Sequence, residues 1–213
     1  MVYEVQDDRI PFYTQYVSLA ILIINVIVFI VQLFDPTGYM FIYEAAFIPS
    51  ELFAGEKVWT LITAMFMHAD ILHIFFNMWF FYVVADNCEK ALGHIFFLIT
   101  YMVSGICATL LHAAFTLLVP GLMNIPTLGA SGAIFGIIAV YGILFPKNQL
   151  RLFISLIPVR LSARTFIILY FFIELIYGLI SLGSSGTEHF AHIGGFIAGA
   201  FFAGIFKLFS KEY

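Results

Sequence analysis

Residues 17–34 read VSLAILIINVIVFIVQLF, an apolar run that only Ser18, Asn25 and Gln32 interrupt. At about 1.5 Å per residue, a helix of this length crosses most of a hydrocarbon layer ~30 Å thick. The polar residues 1–15 that precede the run lack the basic start and the small-residue cleavage site of a secretory signal. We therefore expect the run to be retained as the first membrane-spanning helix.

The composition of the whole chain points the same way. Of 213 residues, 62% are hydrophobic and 10% are charged, against roughly 45–50% and 25% in a soluble domain. Because so few charges cannot cover a water-exposed surface, lipid is the expected solvent. The formal net charge of −4 comes without a basic stripe, so nucleic acid is not an expected partner. The predicted class is an all-α, polytopic membrane protein with no cofactor.

Five more apolar segments follow, which predicts a single transmembrane domain of six helices over residues 1–213. The fourth segment is short for a bilayer crossing, so one of its ends is expected below the membrane surface. Between the helices we predict an interfacial loop at 35–57, a charged turn at 86–90 and an interfacial segment at 151–164. The first of these five segments begins at residue 68 or 71 and ends at 85. The other four cover residues 91–119, 131–145, 165–182 and 189–208.

Basic residues predict the orientation of these helices. With the N-terminus inside, Lys57 is the one residue of the nine Lys and Arg that lies outside, in agreement with the excess of positive charge on the cytoplasmic side of membranes. Both termini are then cytoplasmic, and the fourth and sixth helices both start at the outer face. We expect an integral protein of the plasma membrane of a prokaryote. The inner basic residues are Arg9, Lys90, Lys147, Arg151, Arg160, Arg164, Lys207 and Lys211.

The motif Gly129-Ala130-Ser131-Gly132 opens the short fourth helix. A serine at this place lies beside free backbone N–H groups and the positive end of the helix dipole, which together stabilise an oxyanion. Ser131 can equally be a helix cap within small-residue packing, and the motif taken alone favours that simpler interpretation.

A histidine opens the sixth helix, in the sequence AHIGG at 191–195. Histidine is costly in hydrocarbon unless it has a partner or faces water. At about 100° per residue, His192, Gly195 and Gly199 lie on one stripe of the helix. Since the fourth helix is also lined by glycine, the two helices can pack closely enough to bring the Ser131 hydroxyl to the His192 ring. A serine in contact with a base is an activated nucleophile.

The second helix contributes His68, His73 and Asn77. His73 and Asn77 are four residues apart and share one helix face. Both side chains can donate to an oxyanion, and with the N–H of Ser131 they would form an oxyanion hole. The alternative is a polar clamp between helices, which is the preferred interpretation of His68 and an equal one for Asn77.

Together these motifs resemble the signatures of rhomboid proteases, which are intramembrane serine proteases. The motifs occur in the family's order, and the resemblance covers essentially the whole chain as a minimal six-helix core. Each motif is common alone, whereas the combination is specific. The matching residues are Gly129-x-Ser131-Gly132, Ala191-His192-x-x-Gly195-x-x-x-Gly199, His68 with His73-x-x-x-Asn77, and Glu89-Lys90 at the turn after the second helix.

The resemblance implies a role for each polar residue. Ser131 matches the nucleophile and His192 the general base, in a dyad without a carboxylate partner. His73 and Asn77 match positions linked to the oxyanion hole, and His68 matches a position that supports the nearby loop. The implied reaction is peptide hydrolysis through an acyl-enzyme, at a site open to the outer face.

The resemblance also implies packing roles and shows two departures. Gly129 matches the glycine before the nucleophile, and the glycines at 132, 195 and 199 allow close approach of the fourth and sixth helices. The first loop has Trp59-Thr60 where many members have Trp-Arg, which puts the usual arginine contacts in doubt. Phe135 stands where many members have a tyrosine, so we expect it to stack on the His192 ring without offering a hydroxyl.

Other ionisable residues allow further interpretations. Glu174 lies inside the fifth helix, where an ionisable group is a functional candidate by default; we expect a neutral or hydrogen-bonded structural carboxyl. His189 and His192 beside Glu188 could begin a metal site, but the H-E-x-x-H motif is absent and no third ligand is evident. We therefore predict no metal.

The expected partners are transmembrane protein substrates and the lipid bilayer. A catalytically inactive rhomboid-like protein that binds membrane helices is the alternative function. A transporter is a third class, and the sequence has neither the internal repeat nor the charged relay that would favour it. Nothing in the sequence indicates the oligomeric state.

Overall fold

The computed structural model describes residues 2–4, 11, 14–37, 39–154, 157–181 and 188–210. It confirms the prediction of an all-α, polytopic membrane protein. Among these described residues, five helices are long and apolar enough to cross a membrane, and a sixth apolar helix, α7, has 14 residues. These helices are α1 (Tyr16–Leu33), α5 (Ile71–Leu92), α6 (His94–Thr116), α7 (Ser131–Leu144), α8 (Ala163–Ile180) and α9 (Glu188–Phe209).

The predicted interfacial loop between the first two spans is helical in part. It contains α2 (Met40–Ala45), α3 (Pro49–Phe53) and α4 (Thr60–Thr63), followed by a 3-10 turn at Ala64–Phe66. A second 3-10 turn, Pro120–Leu122, lies between α6 and α7. Arg9 and Lys211, which entered the orientation argument, lie outside the described residues, as does residue 182 at the end of the predicted fifth span.

The predicted charged turn at 86–90 is wrong, because α5 continues as a helix to Leu92. Glu89 is 1% exposed, and its two carboxylate oxygens accept the backbone N–H groups of Val17 and Ser18 at 2.8 and 2.7 Å. The first N–H groups of a helix have no partner within the helix, so this carboxylate caps α1 from a neighbouring element. Glu89 also lies 2.6 Å from Nδ1 of His94, and we call Glu89 and His94 the capping pair.

The predicted interfacial segment at 151–164 is largely a β-hairpin. Strands β2 (Gln149–Ile154) and β3 (Ile157–Ser162) are antiparallel, and β1 (Val2–Glu4) adds to β2. Arg151 pairs with Arg160 and Leu150 with Leu161, so charged and apolar residues alternate with the period of a strand. Leu150 is fully buried beneath the sheet. The alternation in the sequence is thus the pattern of a two-faced strand, and the interfacial location stays a prediction.

Helix α7 occupies the centre of the helical bundle and is buried along nearly its whole length. It packs against α5, α6, α8 and α9. Its contact with α9 is the closest, since a Cβ at Gly195 would lie 1.9 Å from the Gly132 carbonyl oxygen and one at Gly199 would lie 2.0 Å from that of Gly136. Glycine at these positions lets the two backbones touch, which brings the first turns of α7 and α9 together.

Candidate active site

Ser131 is the first residue of α7, and the backbone before it requires glycine. Gly129 has φ of +134°, a conformation that L side chains rarely adopt. A Cβ at this position would also lie 3.0 Å from the His73 ring, so there is little room for a side chain. The N–H of Gly129 donates to the carbonyl oxygen of Ala64 at 2.9 Å, which ties the loop to the 3-10 turn. These contacts place the Ser131 hydroxyl at the N-terminus of α7.

The structure brings Ser131 and His192 together. Oγ of Ser131 lies 2.9 Å from Nε2 of His192, a hydrogen-bond distance. The Phe135 ring, one helical turn along α7, stacks on the imidazole with ring centroids 4.2 Å apart and planes 3° from parallel. The His192 side chain is 18% exposed, so the pair is sheltered without being sealed. A serine hydroxyl and an imidazole in this geometry can exchange a proton.

The expectation that His192 has no carboxylate partner is wrong. Oε2 of Glu174, on α8, lies 2.9 Å from Nδ1 of His192. The same oxygen lies 2.6 Å from Nδ1 of His189, which is one turn earlier on α9. Glu174 is 6% exposed, as expected for a hydrogen-bonded carboxyl inside a span. Sequence spacing did not reveal this contact, because which side chains of α8 and α9 face each other depends on how the two helices pack.

The same three side chains include a third possible metal ligand beside the two histidines. Glu174, His189 and His192 each offer one ligand atom, and these atoms lie within 4.8 Å of one another. The carboxylate that complements the histidines is therefore Glu174, whereas the sequence had suggested Glu188. The carboxylate oxygen already lies at hydrogen-bond distance from both ring nitrogens. Direct hydrogen bonding accounts for the cluster as it stands.

His73 and Asn77 line the same cavity as Ser131 and His192, which has a volume of about 440 Å³. Asp70 caps α5 by accepting the N–H groups of residues 72 and 73 at 2.9 and 2.8 Å, and this fixes the turn that presents His73. Nδ1 of His73 accepts the N–H of residue 69 at 3.3 Å. The Asn77 amide donates to the His73 carbonyl oxygen at 2.9 Å, which leaves its second N–H for another acceptor.

The family of the chain follows from its sequence, since the Rhomboid domain profile matches residues 55–209. The chain belongs to the rhomboid family. The match begins after α3 and continues to the last residue of α9. It therefore includes every residue that lines the cavity between α5, α7 and α9, except Phe47. As a rhomboid with five long apolar helices, the chain is an integral, multi-pass membrane protein.

Known relatives of this rhomboid include both a named protease and a named inactive protein. The chain is 32% identical over 157 residues to Rhomboid-like protease 3 of Toxoplasma gondii, covering 73% of this chain and 53% of the relative. It is 30% identical over 145 residues to RHOMBOID-like protein 6, mitochondrial, of Arabidopsis thaliana, covering 68% and 42%. It is 27% identical over 144 residues to Inactive RHOMBOID-like protein 8 of Arabidopsis thaliana, covering 68% and 37%. The chain spans about half the length of these relatives or less.

His68 is buried beside the rhomboid cavity and organises the loop before α5. Its backbone N–H and carbonyl oxygen both bond to the Gln32 side chain at 3.1 Å, which ties the loop to α1. Its ring meets the His73 ring edge to face, with centroids 5.1 Å apart. Burial lowers the pKa of His68 to about 4, and the neighbouring His73 adds to the effect. The ring is therefore neutral at pH 7.

The loop in which many rhomboids carry arginine is held here by other bonds. Nε1 of Trp59 donates to the Glu44 carbonyl oxygen at 3.0 Å, and Oγ1 of Thr60 donates to the Lys57 carbonyl oxygen at 2.7 Å. Thr60 is 2% exposed and has no charge to place in the loop. Where many rhomboids have arginine, Thr60 thus makes a local hydrogen bond to the backbone.

Proposed function

We propose that this rhomboid is an intramembrane serine endopeptidase that cleaves the transmembrane segments of other membrane proteins. The observation that carries the proposal is the 2.9 Å contact between Oγ of Ser131 and Nε2 of His192. The cavity around this contact gives a peptide and a water molecule room to enter. Membership of a family whose named members include proteases supports the same activity.

The proposed reaction begins with Ser131 as nucleophile and His192 as general base. As Oγ bonds to the carbonyl carbon of the scissile peptide, its proton passes to Nε2 of His192. The carbonyl oxygen becomes an oxyanion, which the backbone N–H of Ser131 and the side chains of His73 and Asn77 stabilise. The positive end of the α7 dipole adds to this stabilisation.

The second half of the reaction returns the enzyme to its starting state. Nε2 of His192 gives its proton to the leaving amine as the peptide C–N bond breaks, which leaves an acyl-enzyme on Ser131. Water then attacks the ester carbonyl while His192 accepts one of its protons. When the Ser131–acyl bond breaks, that proton returns to Oγ, and the product carboxylate departs.

The proposed substrates are single transmembrane helices cut near their outer ends. A peptide bond inside a helix is inaccessible until the helix unwinds, so small residues at the cut and helix-breaking residues beyond it are favoured. The distribution of Lys and Arg in the sequence supports cytoplasmic termini and an active site open to the outer face. We propose the plasma membrane of a prokaryote as the location.

The test is cleavage of a single-pass reporter protein by the purified chain in liposomes. Ser131→Ala and His192→Ala are expected to abolish cleavage, because either change removes the nucleophile or its base. Ser50→Ala, on α3 away from the Ser131–His192 pair, is the matched control and should cleave at the wild-type rate. Full residual activity in Ser131→Ala or His192→Ala would reject the proposal.

The alternative is an inactive rhomboid that only binds membrane helices. Its specific support is the similarity to Inactive RHOMBOID-like protein 8. A fluorophosphonate probe separates the two functions, since it reacts only with an activated serine hydroxyl. Labelling of the wild type that Ser131→Ala removes supports the protease. Wild-type protein that binds a reporter helix but neither labels nor cleaves establishes the binding protein.

A further inference from the structure

We propose that Glu174 is a positioning residue for catalysis, which holds His192 in the tautomer and ring orientation that Ser131 requires. The inference rests on the proposed protease function and extends the pair of Ser131 and His192 to a hydrogen-bonded chain of three residues. The carboxylate is expected to stay unprotonated during the reaction. The proton on Nδ1 of His192 remains there while Nε2 takes the proton from Oγ of Ser131.

The argument begins with the two edges of the imidazole ring. Nδ1 of His192 lies 2.9 Å from Oε2 of Glu174, and Nε2 lies 2.9 Å from Oγ of Ser131. A neutral imidazole has one nitrogen that donates and one that accepts, and an ionised carboxylate can only accept. Nδ1 therefore carries the proton, and the lone pair of Nε2 faces the serine hydroxyl. The opposite tautomer would leave Ser131 without a base.

Ring stacking alone cannot set this arrangement. Phe135 lies parallel to the His192 ring and so fixes its plane. A half-turn of the imidazole about its Cβ–Cγ bond keeps the same plane and the same stacking, but it places carbon atoms where the two nitrogens stood. The Glu174 carboxylate distinguishes the two orientations, because only one of them gives it an N–H donor.

The surroundings of Glu174 supply the hydrogen-bond donors that a buried carboxylate in this role needs. A buried carboxylate is stable only when donors satisfy it. Besides His192, the Nδ1 of His189 reaches the same oxygen at 2.6 Å. Gly178 makes this possible, because a Cβ there would lie 3.2 Å from His189 Cβ and would crowd the start of α9. Tyr177 stacks on the His189 ring at a centroid distance of 5.8 Å and steadies it.

The decisive variant is Glu174→Gln, which keeps the size of the side chain and removes its charge. A carboxamide can donate as well as accept, so it no longer enforces the Nδ1–H tautomer. We expect kcat for the liposome reporter to fall by about 10² or more while KM changes by less than about threefold, since wrong-tautomer variants lose turnover and not binding. The rate of fluorophosphonate labelling of Ser131 should fall by a similar factor.

Glu89→Gln is the matched control, because Glu89 is also buried and also lies 2.6 Å from a histidine Nδ1. With rates normalised to folded protein, its kcat should stay within about twofold of wild type, since a change far from the Ser131–His192 pair leaves the reacting groups in place. If Glu174→Gln matches Glu89→Gln in kcat and labelling rate while wild type is active, the positioning role is overturned and the protease proposal stands. If wild type neither cleaves nor labels, the protease proposal itself fails.

A second measurement needs no variant and no substrate. ¹⁵N NMR of protein labelled at histidine reports which ring nitrogen of His192 is protonated. We expect the Nδ1–H form, with a strongly downfield proton resonance from the bond to Glu174. An Nε2–H form would overturn the inference. Loss of wild-type activity on treatment with EDTA, with recovery on adding Zn²⁺ alone, would also overturn it, because the cluster would then be a metal site.

Discussion

Within the part of the chain that the structure describes, two buried glutamates each bond to histidine, and their other contacts differ. Glu89 lies 2.6 Å from Nδ1 of His94, and Glu174 lies 2.6 and 2.9 Å from Nδ1 of His189 and His192. The glutamates are 1% and 6% exposed. By residue type, distance and burial the two regions are nearly alike.

The difference lies in what else each group touches. The oxygens of Glu89 also accept backbone N–H groups of α1, so the capping pair joins helices. The His192 imidazole, which is hydrogen-bonded to Glu174 through Nδ1, contacts Oγ of Ser131 through Nε2, so a proton can pass between the serine and the histidine. The two regions lie near opposite ends of the bundle: Glu89 follows His73 by sixteen residues of α5, or about 24 Å. The same bond therefore supports stability at one end and is proposed to support chemistry at the other.

Removing the carboxylate of the capping pair should give the largest change in stability. Glu89→Ala leaves the N–H groups of Val17 and Ser18 without their acceptor in a buried site. We expect the free energy of unfolding to fall by about 3–5 kcal/mol. Reversible unfolding in detergent, followed by tryptophan fluorescence, measures this. Cleavage per folded molecule should be unchanged, and a loss of specific activity as large as that of Glu174→Gln would erase the distinction between the two regions.

His68 sharpens the comparison because it is a buried histidine whose ring, within the described part of the chain, bonds to no carboxylate. Its pKa is about 4 in the folded protein against 6.5 for the free side chain. Between these values the unfolded chain takes up a proton that the folded chain does not, so stability falls as the pH falls from 6.5 towards 4. The loss should reach roughly 3 kcal/mol at pH 4.

The variant His68→Gln tests the assignment of that pH dependence. Unfolding free energies of wild type and variant, measured between pH 7 and pH 4, should have different slopes, with the shallower slope in the variant. Equal slopes would show that other groups cause the loss of stability in acid.

The close contact of α7 and α9 is expected to matter to the candidate active site and not to the capping pair. In Gly195→Ala the new Cβ would lie 1.9 Å from the Gly132 carbonyl oxygen, so α9 must move outwards. We expect a loss of about 1–3 kcal/mol in stability. Activity should fall by roughly 10², because a displacement of about 1 Å separates the reacting groups.

Gly204→Ala provides the control on the same helix, since a Cβ there would meet no atom within 4 Å. Its activity and stability should match wild type. A Gly195→Ala protein with wild-type kcat would mean that the contact between the helices does not position His192.

The smallest effect is expected at His94, the exposed member of the capping pair. Its side chain is 47% exposed, so water competes for its bond to Glu89. His94→Gln should lower the free energy of unfolding by less than about 1 kcal/mol, as is usual for exposed pairs. A loss as large as that of Glu89→Ala would show that the histidine, and not the backbone N–H groups of α1, is the main partner of Glu89.

Local patterns predicted the long helices well, because each is an apolar run whose length matches a bilayer. The predicted turn between the second and third spans was wrong because a charged residue there forms tertiary bonds. Residues 86–90 looked like a turn because three charges interrupt an apolar run, yet Glu89 is buried against α1. The segment at 151–164 was predicted by location only, as interfacial, and its alternating pattern did not reveal that it forms the hairpin of β2 and β3.

The candidate site shows the same limit. Ser131, His192, His73 and Asn77 could be selected from their motifs, and all four line one cavity. Glu174 was noticed as an ionisable residue inside a span, but its link to His192 was missed. No motif connects α8 to α9, and a single carboxylate in a helix gives no sign of which histidine it faces.

The sequence by itself determined that this is a membrane protein, because the hydrophobic content and the length of the apolar runs depend only on which residues the chain has and in what order. It also determined the residue types available for catalysis and the glycines that allow two helices to touch. Only the tertiary structure decided which polar groups meet: Glu89 with the start of α1, and Glu174 with the histidine beside Ser131. Those pairings depend on how the helices pack against one another, and a hydrogen bond forms only when packing brings its atoms within about 3 Å.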